Sequence, residues 1–188
     1  MLIHLEAFKS ADIYLIDQIL KDRLHKGQRI LDLGCGSGRN LIILETLGCE
    51  IYGVDQSAQA IDSCRRQLQS FKEEHFYVGD LLQHPFQTEH FDVVICNALF
   101  HFAKDQEDFF NWTQSAWNAL KPAGLFFARL STTIGLPNAK PFGFNYLASE
   151  QDLLTCEKKW KAQRIDPLKT TLVETTRTMT TWVLGKPV

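Results

Sequence analysis

Three glycines that follow an apolar run are the residues whose spacing most directly predicts chemistry in this sequence. Gly34, Gly36 and Gly38 lie in the segment ILDLGCGSGRN, between a strand-like run and a helical pattern. Glycine at such a turn adopts dihedral angles that other residues avoid, and it lets a ligand lie against bare backbone. The amino end of the following helix favours a carboxylate or a phosphate. The segment therefore predicts a ligand-binding loop, with a purely structural tight turn as the alternative.

Two acidic residues occupy equivalent positions at the ends of later strand-like runs. Asp55 follows the glycine loop by about 20 residues, where a carboxylate accepts hydrogen bonds from ribose hydroxyls in nucleotide-binding folds. Asp80 ends the next run in the same manner. Ligands of parallel sheets bind at the carboxyl ends of the strands, so the loop and both acids are predicted to share one cleft. A turn or a helix cap is the alternative role for Asp80.

The details of the loop indicate which kind of nucleotide it would bind. A dinucleotide fingerprint has its third glycine five positions after the first, but this chain has Arg39 there and its third glycine at Gly38. Asp32 lies shortly before the first glycine. Its negative charge would repel a pyrophosphate, whereas it suits a ligand with an amino group and a sulfonium. No Lys-Ser/Thr pair follows the loop, so the Walker pattern is absent as well.

The elements that must position these residues alternate between short β-rich runs and helical patterns, which is typical of βαβ units in a parallel sheet. A helix capped by Ser10 is predicted over residues 10–25. The stretch 131–148 is rich in glycine and proline, and irregular loops of this length usually cover a functional site. The predicted strands are residues 29–34, 50–55, 75–80, 91–98 and 124–130, with 160–165 and 177–184 in the tail.

Five segments of the chain resemble, in the same order, the motifs of the class I S-adenosylmethionine-dependent methyltransferases. They are ILDLGCGSGRN, VDQSAQAI, VGDLLQHPF, FDVVICNALFHF and LKPAGLFFARLS. The resemblance covers about residues 28–131, and the ending TTWVLGKP is similar to the family's last strand. It implies an α/β fold, a Rossmann-like three-layer α/β/α sandwich with a seven-stranded, mostly parallel sheet whose last strand is antiparallel. It also implies S-adenosyl-L-methionine as the cofactor.

The resemblance further implies a role for each motif residue. Asp32 and the glycines would hold the methionine end, Asp55 the ribose, and Asp80 with Leu81 the adenine. The expected cofactor-binding residues are Asp32, Gly34, Cys35, Gly36, Ser37, Asp55, Gln56, Asp80, Leu81 and Asn97. No metal site is expected, because the five cysteines are scattered and none forms a CxxC pair.

Two residues are candidates for catalysis on the acceptor side because of their positions. His101 follows the fourth predicted strand at the mouth of the cleft, and histidine is the side chain best suited to take a proton near neutral pH. Its alternative is a packing role between Phe100 and Phe102. Arg129, near the end of the fifth predicted strand, is a candidate to bind an anionic substrate, and its alternative is a salt bridge at the rim.

The aromatic residues in the glycine- and proline-rich stretch have two possible roles as well. Phe142, Phe144 and Tyr146 would form either an apolar lid over the acceptor or an anchor for the loop. The stretch 131–148 is accordingly predicted to cover the substrate.

The length and composition limit the classes of protein that fit this sequence. The 188 residues predict a single domain over 1–188. Lysine and arginine total 20 against 22 acidic residues, for a net charge of −2. This balance argues against a protein that coats nucleic acid, which needs a basic face. The early residues lack the apolar core of a signal peptide, and the apolar stretch 91–103 is too short to span a bilayer. The sequence therefore predicts a cytoplasmic protein without membrane contact.

These observations predict an enzyme that transfers a methyl group from S-adenosylmethionine to a small-molecule acceptor, as a monomer or a homodimer. The sequence Asn97-Ala98-Leu99-Phe100 departs from the Asn/Asp-Pro-Pro-aromatic pattern of similar amine and adenine methyltransferases, which argues against a nucleic-acid base as acceptor. One alternative is an RNA or protein methyltransferase of the same fold. The other is a non-catalytic module that binds the cofactor and acts through a partner.

Overall fold

A computed structural model describes residues 5–136, 143–173 and 177–188. Its helices are α1 (Leu5–Ser10), α2 (Ile13–Leu20), α3 (Leu41–Thr46), α4 (Ala58–Gln67), α5 (Gln106–Ala119) and α6 (Glu150–Trp160). Its strands are β1 (Arg29–Leu33), β2 (Glu50–Asp55), β3 (Phe76–Val78), β4 (Phe91–Asn97), β5 (Leu120–Thr132), β6 (Gln163–Arg164), β7 (Lys169–Val173) and β8 (Arg177–Gly185). Short 3₁₀ turns lie at Glu73–His75 and Phe100–Phe102.

The strands form one mixed sheet with the order β3-β2-β1-β4-β5-β8. The pairings among β1 to β5 are parallel, and β8 runs antiparallel to β5. This confirms the predicted fold class and the antiparallel last strand. The described residues form eight strands: the tail strand predicted over 160–165 is the short β6, and β7, which was not predicted, also pairs with the outer edge of β8.

Helices cover both faces of the sheet and create two apolar cores. Successive residues of a strand point to opposite faces, so Ile30 and Ile95 join the core beneath α1 to α4. Their neighbours Leu31 and Val94 join the core beneath α5 and α6. This arrangement confirms the predicted three-layer sandwich. None of the helices in the described ranges is both long and apolar enough to cross a membrane.

The amino-terminal helical region differs from its prediction. The helix expected over 10–25 is the shorter α2, Ile13–Leu20, and a separate helix, α1, ends at Ser10. Asp12 rather than Ser10 caps α2 by accepting a hydrogen bond from the Tyr14 N–H at 2.9 Å. The backbone N–H of Asp12 donates to the Asn40 side-chain oxygen at 3.0 Å. These tertiary contacts fix the break between the helices.

The order of the strands reverses direction between β1 and β4. From β1 the chain builds outward through β2 and β3, and from β4 it builds the other way through β5. In open sheets with parallel strands, such a reversal leaves a crevice at the carboxyl ends of the two central strands. The glycine loop follows β1 and the Asn97 turn follows β4, so both lie at this crevice.

Candidate active site

A cleft with a volume of about 250 Å³ lies at the carboxyl ends of β1, β2 and β4. Four of the predicted cofactor-binding residues, Gly34, Asp55, Gln56 and Leu81, line it together. The remaining lining residues are Ala98, Leu99, Phe102 and Trp112. The structure thus brings residues of the first, second and third motifs to one place, although Asp80, which was predicted to share this cleft, does not line it.

The loop after β1 needs glycine for two separate reasons. Gly34 and Gly38 have φ angles of +74° and +86°, in the left-handed region that side chains disfavour. The space around them is also filled. A Cβ atom on Gly34 would lie 2.8 Å from a methyl carbon of Leu99, and one on Gly38 would lie 2.9 Å from the Cys64 sulfur. The backbone at the start of the cleft therefore stays bare and accessible to a ligand.

Asp55 fixes the shape of this loop as well as facing the cleft. Its carboxylate accepts a hydrogen bond from the Gly36 N–H at 2.9 Å through one oxygen, and from the Ser57 N–H at 2.9 Å through the other. Each carboxylate oxygen has two lone pairs, so both can still accept a hydroxyl from a ligand. Asp55 can therefore bind a diol while it holds the glycine loop in place.

Asp32 and Asn97 are buried polar residues with unsatisfied atoms beside the loop. Asp32 is 1% exposed and Asn97 is 7% exposed. Within the described chain, one carboxyl oxygen of Asp32 and both amide atoms of Asn97 have no hydrogen-bond partner. Asn97 lies two residues beyond Ile95, the residue aligned with Asp32 across β1 and β4. Unsatisfied buried groups are costly, so these atoms are available to the polar groups of a ligand.

The charge state of Asp32 follows from its burial. Desolvation raises the pKa of the Asp32 carboxyl from 3.8 to about 8; the Arg39 charge opposes this shift and the Asp55 charge adds to it. At neutral pH this carboxyl is consequently protonated. A cation that binds beside it would favour the carboxylate and lower the pKa again.

Other predicted cofactor residues, among them Ser37, Cys35 and Asp80, do not line the cleft either. Ser37 is exposed, and its carbonyl oxygen accepts from the Gln67 amide. The Cys35 thiol is buried; its hydrogen bond with Cys64 and desolvation raise its pKa, so it is a neutral core group. Asp80 is exposed and accepts from the Leu82 N–H at 2.7 Å, which is the turn role considered as its alternative.

His101 lies in the 3₁₀ turn after β4 and is 3% exposed. Its Nδ1 accepts a hydrogen bond from the Ser131 backbone N–H at 3.3 Å, so the proton of the neutral ring is on Nε2. Burial, assisted by the charge of Arg177, lowers the pKa of this imidazole from 6.5 to about 4. The ring therefore offers an N–H donor at neutral pH. This geometry disfavours the predicted role of His101 as a base and favours its packing alternative.

Arg129 is engaged with the amino-terminal helices. Its guanidinium forms an ion pair with the Asp12 carboxylate at 2.9 Å and lies 4.6 Å above the Tyr14 ring. The Asp12 side chain is only 4% exposed, so the pair is well shielded from water. The charge of Arg129 is already neutralised, which matches the salt bridge considered as its alternative rather than a free anion-binding group.

The predicted covering loop, 131–148, is described only in part, and Phe142 lies outside the described residues. Residues 131–132 belong to β5. The Phe144 ring packs on the His101 ring with 3.9 Å between centroids. The Tyr146 hydroxyl donates to the Asp152 carboxylate at 2.8 Å, and its ring packs on Phe109. Tyr146 therefore anchors this segment to α6 and α5.

Sequence reasoning missed some of the residues that line the cleft. Leu99 and Phe102 belong to the fourth motif, but their pattern showed nothing beyond apolar packing. Trp112 lies on α5 beside the buried stripe of Phe109 and Thr113, rather than within it. An aromatic residue placed one step off a buried stripe is a signal that could have identified it.

The chain is similar to known methyltransferases. Residues 31–128 match the family described as "Methyltransferase domain". The ribosomal RNA large subunit methyltransferase G of Shewanella loihica is 32% identical over 125 residues, 57% of this chain and 31% of that protein. The malonyl-[acyl-carrier protein] O-methyltransferase of Enterobacter lignolyticus is 28% identical over 112 residues, 60% of this chain and 42% of that protein. The chain thus spans less than half the length of these two relatives.

Solved structures share the fold. The geranyl diphosphate C-methyltransferase of Streptomyces coelicolor, crystallised with Mg²⁺, geranyl diphosphate and S-adenosyl-L-homocysteine, has a TM-score of 0.71 at 16% identity. The match covers 93% of this chain and 80% of that one. At this identity the likeness concerns the fold alone.

Proposed function

Because the chain belongs to the methyltransferase domain family, we propose that it transfers a methyl group from S-adenosylmethionine to a small-molecule acceptor. The observation that carries the proposal is the cleft itself. It presents bare backbone at Gly34 and a carboxylate with spare lone pairs at Asp55. The unsatisfied buried groups of Asp32 and Asn97 lie near the ends of the adjoining strands β1 and β4.

The residues of the cleft fit the separate parts of this cofactor. Asp32, Asn97 and the glycine-loop backbone would hold the methionine end, and Asp55 would accept from the ribose hydroxyls. The apolar side chains of Leu81, Phe102 and Trp112 would enclose the adenine. The fit pairs polar groups with polar groups and places the ring system against apolar walls.

The cofactor supplies an electrophilic methyl group, so the chain has to orient the acceptor in line and exclude water. Orientation alone can lower a barrier by about 7–11 kcal/mol. In the turn from Ala98 to Phe102, Ala98, Leu99 and Phe102 line the cofactor cleft, whereas the His101 ring packs on Phe144. His101 contributes an N–H donor there. The acceptor atom would therefore bring its own lone pair rather than lose a proton to His101.

Two alternatives make different predictions about turnover. The ribosomal RNA methyltransferase relative favours an RNA acceptor, whereas the net charge of −2 argues against it. A non-catalytic module would bind the cofactor tightly without consuming it. Formation of S-adenosylhomocysteine with a metabolite mixture, but not with RNA, supports the small-molecule enzyme.

Ligand-dependent melting tests the cofactor assignment. A ligand at a hundredfold excess over its Kd stabilises a protein by about 2.7 kcal/mol, which corresponds to a rise in Tm of roughly 5–10 °C for a chain of this size. We expect S-adenosylmethionine and S-adenosylhomocysteine to produce this shift and NAD to produce none. An equal or larger shift with NAD would contradict the proposal.

A further inference from the structure

Arg177, the first residue of β8, is a cation for which the described residues provide no counter-charge. Its guanidinium lies 5.5 Å above the Phe144 ring, and its Nε is buried with no hydrogen-bond partner. Over residues 5–136, 143–173 and 177–188, no carboxylate lies within ion-pairing distance of it. A buried donor on a charged group without an acceptor is costly. The site around Arg177 is therefore poised to receive an anion.

Two aromatic rings, Phe144 and Phe102, connect Arg177 to the cofactor cleft. Phe144, beneath the guanidinium, packs edge-on against Phe102 with 5.7 Å between ring centroids. Phe102 in turn lines the cleft. The path leads from the cleft toward β5 and β8, away from Asp55 and the second motif. Arg177 thus lies on the side of the site where an acceptor, rather than the cofactor, would be held.

A second donor, His101, contacts the same Phe144 ring as Arg177. Since Nδ1 of His101 accepts from the Ser131 N–H, the Nε2 atom carries the ring proton. The charge of Arg177 helps to keep this imidazole neutral by lowering its pKa. The pair therefore combines one positive charge with one neutral N–H donor, a set that suits a monoanion better than a phosphate dianion.

Arg129 provides an internal comparison. It also lies over an aromatic ring, Tyr14, but its charge is matched by Asp12. Of these two arginines on the acceptor side, Arg177 alone has an uncompensated charge in the described chain. The position of the anion is therefore assigned to Arg177.

We propose that Arg177 determines acceptor specificity, and that the acceptor is a small molecule with a carboxylate that Arg177 binds and His101 contacts through Nε2–H. This proposal rests on the proposed function, because it names the class of acceptor for the same reaction. The body of the acceptor would lie along Phe144 and Phe102 toward the cleft.

Benzoate, benzamide and phenyl phosphate are suitable probes, since an aromatic body fits the phenylalanine walls. Each is titrated into the protein with saturating S-adenosylhomocysteine, and the Nε–H resonance of Arg177 is followed by nitrogen-15 NMR. We expect benzoate to shift this resonance and benzamide to leave it unchanged. We expect the R177Q variant to bind benzoate at least tenfold more weakly, with partial recovery in R177K. The matched control R66Q, at an exposed arginine of α4, should bind like the parent.

The outcomes separate this proposal from the one it rests on. Affinity for S-adenosylhomocysteine is measured first, on folded samples of each variant. If the parent does not bind S-adenosylhomocysteine, both the proposed methyl transfer and the role of Arg177 are wrong. If this affinity is present, benzamide binding equal to benzoate, no binding of benzoate, or unchanged benzoate affinity in R177Q would each overturn the role of Arg177 alone. Tighter binding of phenyl phosphate than of benzoate would overturn the carboxylate assignment.

Discussion

The two halves of the crevice are built in different ways. Over β1 and β2, the site consists of backbone and of acids at strand ends, drawn from the short segments 32–38 and 55–57. Over β5 and β8, it consists of side chains that are far apart in the chain: Asp12, His101, Arg129 and Arg177. The first half carries acidic side chains, whereas the second half contains two arginines, Arg129 and Arg177, and one aspartate, Asp12.

This difference shows how one fold can keep a cofactor and change its acceptor. A loop whose shape depends on φ angles and on one carboxylate can bind the same ligand wherever it occurs. Side chains that meet only through the register of distant strands can be replaced without disturbing that loop. The cationic cofactor and an anionic acceptor would then meet between halves of opposite charge.

Replacement of Asp55 should produce the largest effect and test the independence of the cofactor half. Asp55→Ala removes the acceptor of the ribose hydroxyls and frees the N–H groups of Gly36 and Ser57. Hydrogen bonds to charged groups contribute roughly 1.5–3 kcal/mol each, so S-adenosylmethionine should bind about tenfold to several hundredfold more weakly in calorimetric titrations. Asp55→Asn should lose less affinity for S-adenosylmethionine, because the amide keeps one acceptor oxygen.

The control for this experiment is Asp62→Ala, which removes an exposed carboxylate from α4. It should bind S-adenosylmethionine like the parent. If Asp55→Ala also bound normally, the second motif would be misplaced and the two halves would not differ as described.

Asp32 should produce a smaller effect that depends on pH. Burial raises the pKa of the Asp32 carboxyl from 3.8 to about 8. Between these two pH values the carboxyl is protonated in the folded chain and ionised in the unfolded chain. Stability from this group is therefore lost as the pH rises from about 4 to 8. At pH 8, Asp32→Asn should be more stable than the parent by about 2 kcal/mol, or roughly 4–8 °C in Tm, and the difference should vanish near pH 4.

Thermal melting of both proteins across this pH range provides the measurement. Asp62→Asn, at the exposed site, should show the same pH dependence as the parent. A difference between Asp32→Asn and the parent that is equal at pH 4 and pH 8 would show that the Asp32 carboxyl does not titrate as described.

Tyr146 should produce the smallest effect and test whether the acceptor half can change without affecting the cofactor half. Tyr146→Phe removes the hydroxyl that donates to Asp152, which should lower stability by about 1 kcal/mol, or roughly 2–4 °C in Tm. Affinity for S-adenosylmethionine should not change. Tyr77→Phe is the control, since no hydrogen bond of that hydroxyl is found in the described ranges. Weaker cofactor binding in Tyr146→Phe would show that the two halves are coupled.

The fold, and the cleft shared by Gly34, Asp55 and Leu81, could be predicted from the sequence because both depend on local patterns. Strand runs, the glycine loop and the acid at Asp55 are each recognisable within a few residues. In the tail, the strand predicted over 160–165 is reduced to the two residues of β6, and β7 was not predicted. The break at Asp12 was missed because its cause lies in contacts with Asn40 and Arg129.

The acceptor half was less predictable because its chemistry depends on tertiary partners. The proton position of His101 depends on the Ser131 N–H, which is 30 residues away. Arg177 shows no motif, and its neighbourhood arises from the register of β8 on β5 and from the position of Phe144. Residue types alone could nominate His101 and Arg129, but not decide which arginine keeps an uncompensated charge.

The ion pair of Asp12 with Arg129 has a consequence for the order of folding. The two residues are 117 positions apart, and a ribosome adds roughly 5–20 residues per second. The α2 helix therefore waits roughly 6–23 s for its partner on β5 to be synthesised. Although α1 and α2 emerge early, they can dock in their final place only after the centre of the sheet has formed. The contact between α2 and β5 thus forms only after the first five strands have been synthesised.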